Sequence, residues 1–127
     1  GDENFIQYGE NKSLSKTLID SFTHILNFSN LKLKLIEISS NLQFKGMNGS
    51  THTDGNSKQV AFILMLCEQD LPKNIGGEFI YKPDNKKVSF KHGRIIQFPA
   101  DSLHAGMSFN KPNYPRISIK YVGEFYD

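Results

Sequence analysis

Four groups in this chain have the type and spacing to do chemistry together: His52, Asp54, His104 and Arg116. In His52-Thr53-Asp54, an extended backbone sends residues i and i+2 to the same side. An imidazole and a carboxylate then face one space, as two neighbouring metal ligands must. Taken alone, the pair reads equally well as a hydrogen-bonded turn or a solvated pair. His104 lies 50 residues beyond Asp54, in Leu103–Ser108. There it is either a third donor from a distant strand or a histidine satisfied by backbone groups. Two imidazoles and one carboxylate on one face form a facial donor set that leaves other coordination positions open. His24, in a helical stretch, and His92, in the turn Lys91-His92-Gly93, have no such context.

Arg116 opens Arg116-Ile117-Ser118-Ile119-Lys120-Tyr121, where Arg116, Ser118 and Lys120 share one face and Ile117, Ile119 and Tyr121 the other. If the apolar set packs under a helix, Arg116 and Ser118 look into the interior. A guanidinium there costs roughly several kcal/mol unless it meets an anion. A dicarboxylate would be a bidentate partner. The alternative is an arginine at a strand end, reaching solvent and paired with Asp or Glu.

The elements that must position these groups read as one helix followed by short strands. From Lys12 to about Phe28, Leu14, Leu18, Ile19, Phe22, Ile25 and Leu26 recur at helical spacing. Ser13 or Ser15 is the expected cap, and Asn27–Asn30 ends the helix. Leu31–Ser39 alternates, with Leu33, Leu35 and Glu37 on one face. Gln59–Leu66 is almost continuously apolar, as in a strand buried on both faces. Glu78–Lys82, Lys87–Phe90, Arg94–Phe98, Leu103–Ser108 and Arg116–Val122 follow. Gly76-Gly77, Pro83-Asp84-Asn85, His92-Gly93 and Pro99-Ala100-Asp101 separate them as turns. This pattern predicts a mainly β sandwich or barrel, with the helix covering one outer face.

At 127 residues the chain is expected to be one domain, with an N-terminal helical segment over 1–30 and a β core over 31–123. With 38% hydrophobic and 22% charged residues it has an ordinary globular composition. A net charge of +2 and no basic run give no indication of nucleic acid or membrane partners. The single Cys67 excludes a disulfide scaffold and suits a reducing compartment, so the expected location is cytoplasmic. The chain begins with Gly1, which leaves an upstream segment open.

Together these motifs resemble the 2-oxoglutarate- and Fe(II)-dependent oxygenase superfamily, and within it the prolyl-hydroxylase-like branch. The resemblance runs from about Leu31 to Val122, through His52-x-Asp54, Val60–Leu66 and Gly76-Gly77-Glu78-Phe79. It continues through Gly93-Arg94-Ile95-Ile96-Gln97-Phe98-Pro99, His104 and Arg116-x-Ser118. It implies a double-stranded β-helix (jelly-roll) with His52, Asp54 and His104 as ligands of Fe(II). Arg116 and Ser118 would hold the far carboxylate of 2-oxoglutarate, O2 would be the oxidant, and ascorbate is a candidate reductant. The implied reaction hydroxylates a C–H bond with succinate and CO2 as co-products, and a prolyl residue in a peptide or protein is the favoured substrate. The alternatives are the same chemistry on a free amino acid, nucleobase or other small molecule, or a noncatalytic cupin-like metal-binding jelly-roll. A cupin has no need of a dicarboxylate anchor, and the histidine-rich cupin motif is absent.

The sequence also departs from the branch. A tyrosine that helps hold 2-oxoglutarate in the animal oxygen-sensing prolyl hydroxylases falls at Met65, which places Met65 and its neighbour Ile63 among the expected cofactor contacts. Ala61, Ile63 and Met65, or Phe79 and Tyr81, are candidate pocket walls and equally plain core. Thr51, Asn56 and Lys58 flank the His-x-Asp turn as candidate substrate contacts or simple loop polarity. The short Asp54–Lys58 stretch stands where larger members carry a mobile lid.

Overall fold

The computed structural model describes residues 12–127. They fall in two compact units, one ending at Leu31 and the other spanning Lys32–Asp127. The first contains helix α1, Lys12–Ser29. It starts one residue before Ser13, so neither Ser13 nor Ser15 caps it. Instead the Ser13 carbonyl accepts a hydrogen bond from Thr17 Oγ1 inside the helix. At the other end Asn30 adopts φ 61°, the left-handed conformation asparagine tolerates at a helix stop.

The second unit is built from β1 (Leu33–Gln43), β2 (Gln59–Leu66), β3 (Phe79–Tyr81), β4 (Lys86–Val88), β5 (Ile95–Pro99), β6 (His104–Gly106) and β7 (Arg116–Phe125). They form a four-stranded sheet in the order β1-β7-β2-β5 and a three-stranded sheet in the order β4-β3-β6, the two-sheet arrangement of a jelly-roll. All strand pairings are antiparallel. β2 lies inside the larger sheet, between β7 and β5, and Val60 through Ile63 are all buried. Its unbroken apolar run reflects that position. β5 is an edge strand, where Pro99 removes no ladder hydrogen bond that its neighbour needs.

The turn chemistry falls where the residue types demand. Asn85 (φ 54°), Gly76 (φ 83°), Gly77 (φ 79°) and Gly93 (φ 82°) adopt left-handed backbone. The core between the sheets gathers Ala61, Ile63 and Met65 of β2 with Phe79, Phe98 and Phe109.

Two strands run three or more residues past their expected ends. β1 runs to Gln43 rather than stopping at Ser39, and β7 continues past Val122 to Phe125. In addition, a β-bulge between Leu35 and Glu37 breaks the alternation of β1. Leu33 and Leu35 pair with Phe125 and Gly123, on the face of Tyr121, whereas Glu37 pairs with Val122 on the opposite face. The expected grouping of Glu37 with Leu33 and Leu35 is therefore corrected. The extra residue, Ile36, shifts the period by one and turns Glu37 to the face of Val122 and Lys120.

Candidate metal and dicarboxylate site

The inner face of β7 carries Arg116, Ser118 and Lys120 in alternation. Its cross-strand partners on β1 are Gln43, Asn41 and Ser39. Directly opposed residues in an antiparallel pair project to the same side. A cavity of about 330 Å³ opens on this face, lined by these β7 residues, Ser39–Asn41, Ile63, Phe79, Gly106, His52, Asp54 and His104.

His52 and His104 meet because they form an isolated antiparallel bridge beside β6. Each backbone N–H donates to the other residue's carbonyl at 3.0 Å, and the ring centroids stand 4.5 Å apart. Asp54, two residues along, is fixed by its own N–H to the Ala100 carbonyl at 2.8 Å. The three potential ligand atoms lie within 4.8 Å of one another. His104 is buried between the rings of Phe79 and Phe98, whereas the His52 side chain is half exposed.

The hydrogen bonds of the two imidazoles determine what this cluster can hold. His52 Nδ1 donates to the Ser50 carbonyl at 2.7 Å and His104 Nδ1 to the Ser102 carbonyl at 2.9 Å. Carbonyl oxygens only accept, so each Nδ1 carries a proton and each Nε2 is directed at Asp54. His104 Nε2 stands 2.8 Å from Asp54 Oδ2, and His52 Nε2 stands 3.4 Å from Asp54 Oδ1. Asp54 Oδ2 is buried without a hydrogen-bond donor. Burial alone would push the Asp54 carboxyl up, but His104 and Lys120 outweigh it and hold the group below the usual carboxylate range. The three side chains therefore converge on one point with donor atoms able to share a cation. Neighbouring ligands of an octahedral cation, each about 2.1 Å from it, stand about 3 Å apart. The residues fit a divalent metal of the Fe(II) type, with imidazole and carboxylate donors.

At the other end of the cavity lies Arg116, 2% exposed. Its Nε donates to the Gly77 carbonyl at 3.0 Å and its Nη1 to Gln43 Oε1 at 3.0 Å. Gln43 is itself fixed, donating from Nε2 to the Met47 and Gly106 carbonyls at 2.9 Å each. A Cβ on Gly106 would stand 3.2–3.4 Å from the guanidinium atoms, so glycine leaves room for it. Phe90 lies beneath, 5.3 Å from Cζ to ring centroid. Burial pushes Arg116 down to about 10, with the charge of Glu78 acting the other way. The group is thus fully charged at neutral pH. Among the described residues no carboxylate forms an ion pair with it. This is a preorganised cation facing a cavity, suited to an anion.

The structure thus brings His52, Asp54, His104, Arg116, Ser118 and Ile63 to one cavity. Met65 is placed elsewhere. It is fully buried in the core cluster and does not line the cavity, although its cross-strand partner Ser118 does. Phe79 is a wall, whereas Tyr81 turns to a separate cleft and donates to Ser102 Oγ at 2.9 Å. Thr51, Asn56 and Lys58 are exposed and do not line the cavity. Gln43, Gly106 and Glu37 escaped the sequence reading as site residues. For Gln43 the signal was its register opposite Arg116, which a strand ending at Ser39 hides.

Gly77 is a structural dependency of this end. Its φ of 79° is strained for any other residue, and an added Cβ would overlap the Phe109 ring. Gly77→Ala is expected to destabilise the protein by about 1–3 kcal/mol, as overpacking does, and to displace the carbonyl that holds Arg116. Thermal unfolding checks this; an unchanged midpoint would contradict it.

No protein-family model matches the chain, and no curated protein sequence does. Solved structures do. A prolyl-4-hydroxylase from Pseudomonas putida superposes with a TM-score of 0.64 at 19% identity, over 96% of this chain and 71% of that one. The viral collagen prolyl hydroxylase of Paramecium bursaria Chlorella virus-1, in its 2-oxoglutarate complex, gives 0.65 at 17% identity over 95% and 78%. The chain has the fold of the prolyl-hydroxylase-like 2-oxoglutarate/Fe(II) oxygenases. A cupin from Bacteroides fragilis is less similar, with a TM-score of 0.52 at 16% identity over 76% and 71%. Since cupins share the jelly-roll, the side chains must separate the two classes.

Proposed function

We propose that the protein is a 2-oxoglutarate- and Fe(II)-dependent dioxygenase that hydroxylates a C–H bond, with a prolyl residue of a peptide or protein as the favoured substrate. The observation that carries this reading is Arg116. A buried, charged, hydrogen-bonded guanidinium, without a carboxylate partner among the described residues, shares one cavity with the His52–Asp54–His104 cluster. A simple metal-binding barrel has no use for that cation, whereas a dicarboxylate reaching from metal to Arg116 uses both ends. Support for the prolyl substrate comes from the two hydroxylases of the same fold.

In this reading His52 Nε2, His104 Nε2 and one oxygen of Asp54 hold the metal, and the Ser50 and Ser102 carbonyls fix the imidazoles in the ligating tautomer. Arg116 takes the far carboxylate of 2-oxoglutarate, with Ser118 beside it on the same face. Ile63 and Phe79 wall the cavity and exclude water from the reacting end. His52 faces the open side, which is where a substrate C–H approaches. Bound Fe(II) supplies the redox chemistry that couples O2 cleavage and decarboxylation of 2-oxoglutarate to hydroxylation, giving succinate, CO2 and the alcohol. Ascorbate would serve as an auxiliary reductant.

Anaerobic addition of Fe(II) and 2-oxoglutarate is expected to produce a weak visible charge-transfer band, and air should then release succinate. Absence of both would sink the oxygenase reading and leave a noncatalytic jelly-roll. With the band established, a proline-containing peptide library is read by gain of one oxygen in mass. Succinate release stimulated by free amino acids or nucleobases, and not by peptides, would move the substrate to a small molecule.

A further inference from the structure

Lys120 is a cation inside the metal end of the cavity, and neither the metal site nor the dicarboxylate anchor accounts for it. Its Nζ donates to Asp54 Oδ1 at 3.2 Å and pairs with Glu37 Oε2 at 3.3 Å. Asp54 Oδ2, the other oxygen of the same carboxylate, has no donor and faces His104 Nε2. The two oxygens of Asp54 thus differ: Oδ1 accepts from the ammonium and stands 3.4 Å from His52 Nε2, whereas Oδ2 has no ammonium and stands 2.8 Å from His104 Nε2. Glu37 reaches Lys120 only because of the bulge at Ile36, which turns it onto the cavity face.

We infer that Lys120 is a positioning residue: it holds Asp54 Oδ1 so that Oδ2 alone is offered to a divalent metal, and Glu37 anchors and neutralises it. This rests on the metal reading above. A lone ammonium beside a divalent cation would repel it, and Glu37 removes that objection. The Glu37–Lys120 pair is formally neutral, so the site keeps the single negative charge of Asp54. When metal and 2-oxoglutarate are both present, the charges of Glu37, Asp54 and the dianion balance those of the metal, Lys120 and Arg116. A partly buried cavity favours such balance, because an uncompensated charge there is costly. Pinning one oxygen also fixes the carboxylate's rotation, as outer partners of metal ligands do.

The test separates position from charge. The double variant Glu37→Gln/Lys120→Met removes both charges, leaves the site's net charge unchanged and deletes the hydrogen bond to Asp54. Mn(II) binding to the apoprotein is measured by the electron paramagnetic resonance signal of free Mn(II). The double variant is expected to bind about 10–100-fold more weakly than wild type, the usual loss for an outer-shell partner. Lys120→Arg, which keeps a cationic donor, should restore most of the affinity. Double-variant binding equal to or tighter than wild type overturns the role of Lys120 alone. Wild-type protein that takes up no Mn(II) removes the metal site itself. Should the double variant fail to fold, Glu37→Gln alone decides, since Glu37 is half exposed. It leaves the ammonium unanchored and uncompensated and should weaken Mn(II) binding; unchanged affinity overturns the proposal.

Discussion

His52→Ala and His104→Ala proteins are each expected to lose divalent-metal affinity by more than the roughly 10–100-fold that follows loss of an outer partner, and to show no charge-transfer band and no succinate release. Each deletes an imidazole Nε2 from the three-donor set found among the described residues. The pair also provides its own control for folding. His104 is packed between Phe79 and Phe98, so truncating it opens a cavity and lowers the unfolding midpoint. His52 is half exposed, and its truncation should leave the midpoint close to wild type. Equal loss of metal with unequal loss of stability identifies ligation as the cause. Retained Mn(II) binding in His52→Ala, measured by calorimetry, would show that the cluster is not the metal site.

Arg116→Met is expected to give the complementary result, with metal affinity within a few-fold of wild type and 2-oxoglutarate affinity greatly reduced. Losing one member of a buried charge pair costs about 2–5 kcal/mol, or about 30- to 5,000-fold in binding. Lysine at this position recovers only part, because a point charge cannot reproduce the planar fork held by Gly77 and Gln43. The burial that depresses Arg116 on folding also means that the charged group weighs against the empty fold. An anion that binds it relieves this cost. Saturating 2-oxoglutarate, at about 100 times its Kd, should therefore stabilise the wild-type metal complex by about 2.7 kcal/mol. Arg116→Met should show almost none of that gain. An equal thermal shift in both proteins would place the dicarboxylate elsewhere.

Much of the fold was legible wherever burial leaves a simple periodic trace. β2 begins and ends where its apolar run does, at Gln59 and Leu66, because the strand is enclosed by neighbours on both edges. The turns were legible because Asn85, Gly76, Gly77 and Gly93 adopt the left-handed backbone their residue types favour. The end of β1 was not. The expected strand stopped at Ser39, whereas Ser39, Ser40 and Asn41 line a cavity and Gln43 beyond them is buried. Polarity that faces an internal cavity looks the same in a sequence as polarity that faces solvent. Met65 lies on the same face as Ile63 yet in the core cluster, because a strand position specifies a face of the sheet but not what stands in front of it.

The chain's sequence by itself determined the donor types, His52, Asp54 and His104, and the sharing of one face by Arg116, Ser118 and Lys120. A strand's two-residue period is a local property and survives without knowledge of partners. Only the tertiary structure decided which groups meet. The bridge that brings His104 to His52, the register that sets Gln43 against Arg116, and the bulge that delivers Glu37 to Lys120 are all pairings between distant segments. One residue of slip in any of them would send its side chain to the opposite face. The chemistry of the site is therefore written locally, and its geometry is fixed by long-range register.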